Sequence, residues 1–298
     1  MTDTPEISVV IPCRNGATTL GRQLDALLGQ TQSTNFEIIV ANNGSTDDTV
    51  SLVHSYAERD PRIRLVDASR RRGINVARNV GVSAARAPLV VLCDSDDVVH
   101  DGWLRAYVDA YANGFQSGGG STMWTTPDGE VFDIVRDLYT LQLGGLTLAS
   151  PVGANCGFSK VAWETAGGFE EDVNGGHDET YFFFRLSEIG FKVSFVPGAT
   201  ITYFARSDAR SLWRQYRGRG RAEVDFYRRY RDLGLERNLR LKLGIGGLTS
   251  LLKWSIDAAR KALRGEQVSQ WERGAPIRIA ATHVGRITRS AQTRTLYL

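Results

Sequence analysis

Val90-Val91-Leu92-Cys93-Asp94-Ser95-Asp96-Asp97 is the stretch that decides the fold of this chain. Every residue from Leu89 to Cys93 can sit in a core, as a central parallel strand requires. The run then ends in three carboxylates within four positions. Carboxylates this crowded repel one another, and burying them unpaired is costly or forces protonation. A divalent cation removes that penalty, and a few hard oxygen ligands suit Mg²⁺ or Mn²⁺. The same residues, taken alone, also fit an acidic turn in which Asp96 or Asp97 caps the next helix.

The residues before this stretch repeat its pattern. Ile7 to Ile11 is a β-branched run stopped by Pro12, followed by the loop Arg14-Asn15-Gly16 and then Leu20, Leu24, Leu27 and Leu28 at helical spacing. Phe36 to Ala41 reads as a second strand running into Asn42-Asn43-Gly44-Ser45-Thr46-Asp47-Asp48, where Ser45 and Asp48 look like a helix start. Arg62 to Val66 reads as a third strand, and Gly73 to Ala85 as a helix carrying Arg78 and Asn79. Strand and helix alternating at intervals near 30 residues predict a mostly parallel, Rossmann-like wound sheet with helices on both faces. In such sheets the ligand site lies beyond the carboxyl ends of the strands. Arg14-Asn15, Asn42-Asn43 and Asp94-Asp96 all fall at such ends, which predicts a nucleotide-sized ligand there.

The totals narrow the classes. A chain of 298 residues suffices for one large α/β domain, with or without an appendage. Net charge +3 is too small to imply nucleic acid, although arginines crowd the last hundred residues. Cys13, Cys93 and Cys156 are far apart, arguing against a zinc site or disulfide framework and for a reducing, cytoplasmic setting. The N-terminus lacks a secretory pattern, and no apolar run is long enough to span a bilayer.

Beyond Asp97 the pattern is less regular. Trp103 to Ala112 reads as a helix, Gly118-Gly119-Gly120 as a turn, and 121–155 as short strands and a loop. Gly167-Gly168-Phe169 leads into the acidic run Glu170-Glu171-Asp172, expected to be a solvated loop, and then into His177-Asp178-Glu179. Tyr181 to Leu186 with Ile189 reads as a buried helix and Lys192 to Val196 as a strand.

Taken together, VVIPCRN, Gln30-Thr31, FEIIVANNGSTDDT, GINVARNVGVSAARAPLVVLCDSDD and GGFEEDVNGGHDET resemble, in this order and spacing, the inverting family-2 glycosyltransferases of the GT-A fold. The similarity covers about residues 7 to 220. It implies a GT-A domain over 1–220, with a nucleotide-binding half to about 100 and an acceptor-binding half over 101–220, then a basic helical extension over 221–298. It implies that Asp94 and Asp96 hold Mn²⁺ or Mg²⁺ against the donor diphosphate. Pro12, Arg14, Asn15, Asn43, Arg78, Asp94 and Ser95 would contact the nucleotide. Asp178 would be the general base that takes the acceptor hydroxyl's proton in a single inverting displacement, with His177 and Glu179 as possible helpers. The implied partners are a UDP-, dTDP- or GDP-sugar donor and a glycan, lipid-linked or small-molecule acceptor, with one sugar moved per event.

Two departures from the family pattern stand out. Many relatives have Asp-Asp where this chain has Asn42-Asn43, which opens the identity of the donor base. Tyr203 stands where a histidine often serves as a further metal ligand. A nucleotidyltransferase, on a similar sheet, needs a glycine-rich loop after the first strand, which Pro12 to Gly16 lacks. A catalytically weak binding scaffold is the other alternative.

The arginine-rich stretch from Arg206 to Arg221 reads either as a solvated basic segment or as a diphosphate clamp through Arg214, Arg217 and Arg219, closing on Gly218 and Gly220. Leu239 to Arg264 reads as a basic amphipathic helix whose stripe (Leu241, Ile245, Leu248, Leu252, Ile256, Ala259, Leu263) could pack on its own domain, on a second subunit, or on the inner face of a membrane. From His283 onward no element is assigned.

Overall fold

A computed structural model describes residues 4–30, 34–143, 146–173, 175–235 and 238–295, with the backbone alone at 143, 238–248, 250 and 262. Thr31 of the Gln30-Thr31 pair, and the side chains of Leu241, Ile245 and Leu248, lie outside the described residues.

The first half winds as its periodicity predicts. Strand β1 (Ile7–Cys13), helix α1 (Leu20–Leu28), β2 (Phe36–Asn42), α2 (Thr49–Ala57), β3 (Ile63–Asp67), α3 (Ile74–Ala84) and β4 (Leu89–Cys93) follow in turn. β5 (Val98–Val99), α4 (Trp103–Ala112), β6 (Ser117–Thr125), β7 (Val131–Val135), β8 (Tyr139–Leu143), β9 (Leu146–Ser150) and β10 (Asn155–Ser159) come next. Then come α5 (Lys160–Ala166), α6 (Asp178–Glu188), β11 (Val193–Phe204), α7 (Ala209–Tyr230), α8 (Asn238–Leu263), α9 (Gln270–Arg273) and α10 (Ala275–Thr293).

The main sheet runs β3-β2-β1-β4-β10-β6-β11-β5, with β7 on β6, while β8 and β9 form a separate hairpin. β3, β2, β1 and β4 are parallel, and β10 lies antiparallel between β4 and β6. Alternation along each central strand separates two cores. Ile7, Val9 and Ile11 with Leu89 and Val91 meet Leu20, Leu24, Trp103 and Tyr107 on one face. Val10, Val90 and Leu92 meet Val82, Phe158, Phe182 and Phe183 on the other. Burial on both faces is why β4 is continuously apolar and β1 is so except at Ser8, whose hydroxyl bonds Glu37.

Several local expectations change. Ser45 does not cap α2, whose N-cap is Asp48; the Ser45 hydroxyl instead accepts the Asn15 N–H at 3.0 Å. Gly118, Gly119 and Gly120 are strand, not turn. A Cβ at Gly118 or Gly120 would fall on the Ser194 or Ala199 carbonyl oxygen, so these glycines allow close strand approach. Ile189 follows α6 and is exposed, while α10 runs through His283 to Thr293, in the segment to which the sequence assigned no element. α7 runs unbroken through position 220 and packs its Val224, Phe226 and Tyr230 on Tyr181 and Phe184 of α6.

Candidate active site

The loops beyond β1, β2 and β4 bound a cleft of about 330 Å³ at the point where the strand order reverses. Of the residues expected to meet a nucleotide, Pro12, Arg14, Asn43, Asp94 and Ser95 line it, together with Asp96. Asn15 and Arg78 lie outside that lining.

Asn15 adopts φ 56°, which lets its Oδ1 accept the Thr46 N–H at 2.8 Å and stitches the first loop to the second. Gly16 and Ala17 N–H groups extend that seam to Thr49 Oγ1 and Asp47 Oδ2. Asn43, nearly buried, donates Nδ2 to the Ala68 and Arg71 carbonyls at 2.6 and 2.8 Å and accepts the Gly73 N–H at 2.9 Å. An aspartate could not make the two donor bonds, so the fold itself accounts for asparagine at 43. Holding the 68–73 loop this way brings Arg72 to the cleft wall.

The Asp94–Asp97 turn is held from behind by α1. The fully buried Gln23 donates to the Asp94 carbonyl at 3.3 Å and accepts the Val99 N–H at 3.0 Å. Arg22 donates to the Asp96 carbonyl at 3.1 Å while lying over the Phe204 ring. Carboxylate oxygens of Asp94, Asp96 and Asp97 come within 4.8 Å of one another. Asp97 is completely buried; one oxygen accepts the Phe204 N–H at 3.2 Å and the other has no hydrogen-bond partner. Burial, with the charges of Asp94 and Asp96, pushes the Asp97 carboxyl well up. Burial likewise raises Asp94 to about 6 against the opposing pull of Arg78, with Asp96, Glu179 and Asp178 adding repulsion. An orphaned buried oxygen beside two more carboxylates is a donor set that a hard divalent cation satisfies.

The second acid cluster hangs on α3. Asn75, Arg78 and Asn79 share one face of that helix, at the spacing that brings side chains together. Asn75 Nδ2 reaches the Glu170 and Asp178 carbonyls at 2.8 and 3.2 Å, while its Oδ1 accepts from Arg78 at 3.0 Å. Asn79 closes a two-way bond with the Phe169 backbone at 2.9 and 2.8 Å and also meets Glu171. The acidic run is therefore not a free solvated loop: Glu171 pairs with Arg70 and Arg71, Asp172 with Arg71 at 2.8 Å, and Glu170 with Arg229 at 2.8 Å.

Asp178 opens α6, and burial raises its carboxyl above the ordinary range against the attraction of Arg78. His177 precedes it at φ 56°, with its ring 5.2 Å from Phe226. A Cβ at Gly153 would meet Glu179 Oε2 at 2.8 Å and Arg78 Nη2 at 3.0 Å, which sets Glu179 beside that arginine. Arg78 is 2 % exposed, and although burial lowers its affinity for a proton, Glu179, Asp94 and Asp178 more than restore it.

The expected arginine clamp is arranged differently. Arg214 and Arg217 are exposed on α7, and neither they nor Arg219 line the cleft; Arg72 and Arg206 do. Gly218 and Gly220 sit inside a continuous helix. A Cβ at Gly218 would crowd Gly175 and one at Gly220 the Thr282 carbonyl, so both are packing points between elements rather than hinges. Tyr203 accepts from Gln215 at 3.3 Å and its ring lies 4.2 Å from that of Trp124, tilted by 46°. Burial, with Asp97 nearby, pushes its phenol up to about 12, so it stays neutral. Gln23, Asn75, Arg72 and the orphaned oxygen of Asp97 carry no sequence signal of their own, because each owes its role to a neighbour distant in the chain.

Residues 8–137 match the family described as Glycosyl transferase family 2. The succinoglycan biosynthesis protein ExoO of Rhizobium meliloti is 32% identical over 152 residues, 51% of this chain and 43% of that protein. Glycosyltransferase AglE of Haloferax volcanii is 25% identical over 233 residues, 75% of this chain and 76% of that one. The chain thus spans under half the length of ExoO. The mannosyltransferase PcManGT from Pyrobaculum calidifontis, solved with GDP-Man and Mn²⁺, superposes with a TM-score of 0.62 at 17% identity, over 97% of this chain and 88% of that one. GalNAc-T7, solved with UDP, GalNAc and Mn²⁺, gives 0.58 at 15% identity, over 76% and 50%. Residues 8–137 are thus similar to glycosyltransferase family 2, and the fold, a wound sheet with added C-terminal helices, is of the GT-A type.

Proposed function

We propose that this protein moves one sugar from a nucleoside-diphosphate donor to an acceptor hydroxyl, inverting the anomeric centre, with Asp178 as general base. The observation that carries the reading is Arg78: a single buried guanidinium whose charge is felt at once by Asp94, beyond β4, and by Asp178 and Glu179, at the start of α6.

The donor's nucleoside would enter the cleft along Pro12, Arg14 and Asn43, with its phosphates toward Ser95, Arg72 and Arg206. Guanidinium forks match phosphate oxygens, and these two line the cleft where Arg214, Arg217 and Arg219 do not. Asp94 and Asp96 would hold Mn²⁺ or Mg²⁺, with Asp97 beneath them. Such an ion, when bound, neutralises charge on the departing diphosphate.

Asp178 takes the acceptor proton on its carboxylate. Burial makes that carboxylate a stronger base, and the charge of Arg78 opposes that rise. His177 lies against Phe226, which suits it to shape the acceptor side rather than to take the proton. Asn43 spends its amide on the main chain, so the donor base is read by other groups in the cleft. The two Mn²⁺-bearing structural relatives hold UDP and GDP-Man, and both donor classes are carried forward with dTDP-sugars.

The test is a thermal-shift screen of UDP, dTDP and GDP with and without Mn²⁺, followed by proton NMR of the product anomer. One nucleotide should shift the melting temperature in a metal-dependent way that Asp96→Ala removes, and the product should have the opposite anomeric configuration to the donor. Retention of configuration, or a shift indifferent to both metal and Asp96, refutes the reading.

A further inference from the structure

We propose that the outward face of α8 seats this protein on an anionic phospholipid surface. One side of α8 is fastened inward: Trp254 donates its Nε1–H to the Glu272 carbonyl at 2.8 Å, and Lys261 pairs with the Glu272 carboxylate at 2.7 Å. The other side carries Leu252, Ile256, Ala259 and Leu263, spaced by four, three and four residues and so aligned in one stripe. Apolar residues at that spacing ordinarily face a core. Here Leu252 is 63 % exposed, Ile256 44 % and Leu263 89 %, and Ala259 is exposed with them.

The flanks of the stripe say what covers it. Lys253, Arg260 and Arg264 are exposed beside it. Arg260 and Arg264 meet acids at 3.6 and 4.0 Å, open pairs that neutralise little. The wider charge distribution points the same way: after residue 205 the chain has 21 Lys and Arg against 8 Asp and Glu, net +13, while the first 205 residues carry net −10. A second copy of α8 would set like charges against each other. Nucleic acid would use the arginines but leave the leucine stripe in water. A bilayer surface takes both, with apolar side chains in the acyl boundary and cations at the headgroups. Among the described residues no helix is long and apolar enough to cross a membrane, so the contact is one of lying on the surface.

The inference is independent of the proposed chemistry, and so is its test. The full chain is co-sedimented with vesicles of phosphatidylcholine alone and of phosphatidylcholine with phosphatidylglycerol. Binding is expected only to the anionic vesicles and should weaken as salt is raised. Alanine at Lys253, Arg260 or Arg264 should each weaken it about fivefold. Leu252→Glu combined with Ile256→Glu should reduce it at least about a hundredfold. These two side chains already face solvent, so the variant should keep its melting temperature and its response to nucleoside diphosphate. Equal or absent binding to the two vesicle types overturns the proposal, as does binding indifferent to the double substitution. A solution dimer that the double substitution dissociates also overturns it, in favour of a second copy on this face.

Discussion

Asp178→Asn separates the reaction from the scaffold around it. The substitution keeps the shape of a half-buried side chain whose Oδ1 receives a long, 3.4 Å bond from the Gly176 N–H, and it removes only the proton acceptor. Loss of a positioned general base costs at least about a hundredfold, or about 2.7 kcal/mol of barrier. Donor binding should be untouched, because Asp178 does not line the nucleotide cleft.

Stability should move the other way. Burial raises this carboxyl in the folded state, so the folded chain holds the proton more tightly than the unfolded one. At neutral pH its charge therefore subtracts from stability, and the loss fades as pH falls through the folded value toward the ordinary one. Asparagine carries no such charge, although it also forgoes the attraction of Arg78. The variant should melt no lower than the parent at pH 7.5, with any gain vanishing near the ordinary carboxyl range of about 4. Single-turnover transfer and thermal melts across that range read both effects. Transfer within about tenfold of the parent, with Glu179→Gln inactive instead, would show that the neighbour is the base and refute the assignment.

Asn75→Ala breaks bonds to the Glu170 and Asp178 carbonyls and to Arg78, so urea unfolding should show a loss of about 3 kcal/mol, and kcat should fall more than donor KM rises. Glu171→Ala removes a part-buried partner of the exposed Arg70 and Arg71 and of the Asn79 amide, so it should cost about 1–2 kcal/mol, and the ion-pair share of its effect on transfer should shrink at high salt. Glu37 is 1 % exposed; burial alone would raise its carboxyl, but bonds from Ser8, the Arg86 N–H and Arg64 hold it below the usual range. Its contribution is thus complete above about pH 4.5 and lost as pH falls through the lowered value, and Glu37→Gln should cost about 3–5 kcal/mol in a melt at pH 7 without altering donor affinity. With Asp94 raised to about 6, metal-supported nucleotide binding measured by calorimetry should weaken as pH falls through that value, since a metal ligand must be ionised.

The winding of the first half was legible because one strand or helix needs only its own period. Leu20, Leu24 and Leu27 name a helix face, and Leu89 to Cys93 name a strand buried on both sides, whatever lies opposite. The placing of Asp94 and Asp96 at a strand end followed from the same arithmetic. The run Gly118-Gly119-Gly120 misled because glycine marks either a turn or a close approach, and only the Ser194 and Ala199 carbonyls decide which. Gly218 and Gly220 misled in the same way, with Gly175 and Thr282 as the unseen neighbours.

What the sequence determined by itself was the identity and order of the elements, and the chemistry gathered at the ends of three strands. Tertiary structure alone decided that Asn43 serves the main chain, that Arg72 and Arg206 reach the cleft, that Glu171 is paired, and that the stripe on α8 looks outward. The physical reason is that periodicity is a property of one segment, whereas a hydrogen bond, an ion pair or a covered face needs a second segment, and the chain's order does not say which one will arrive.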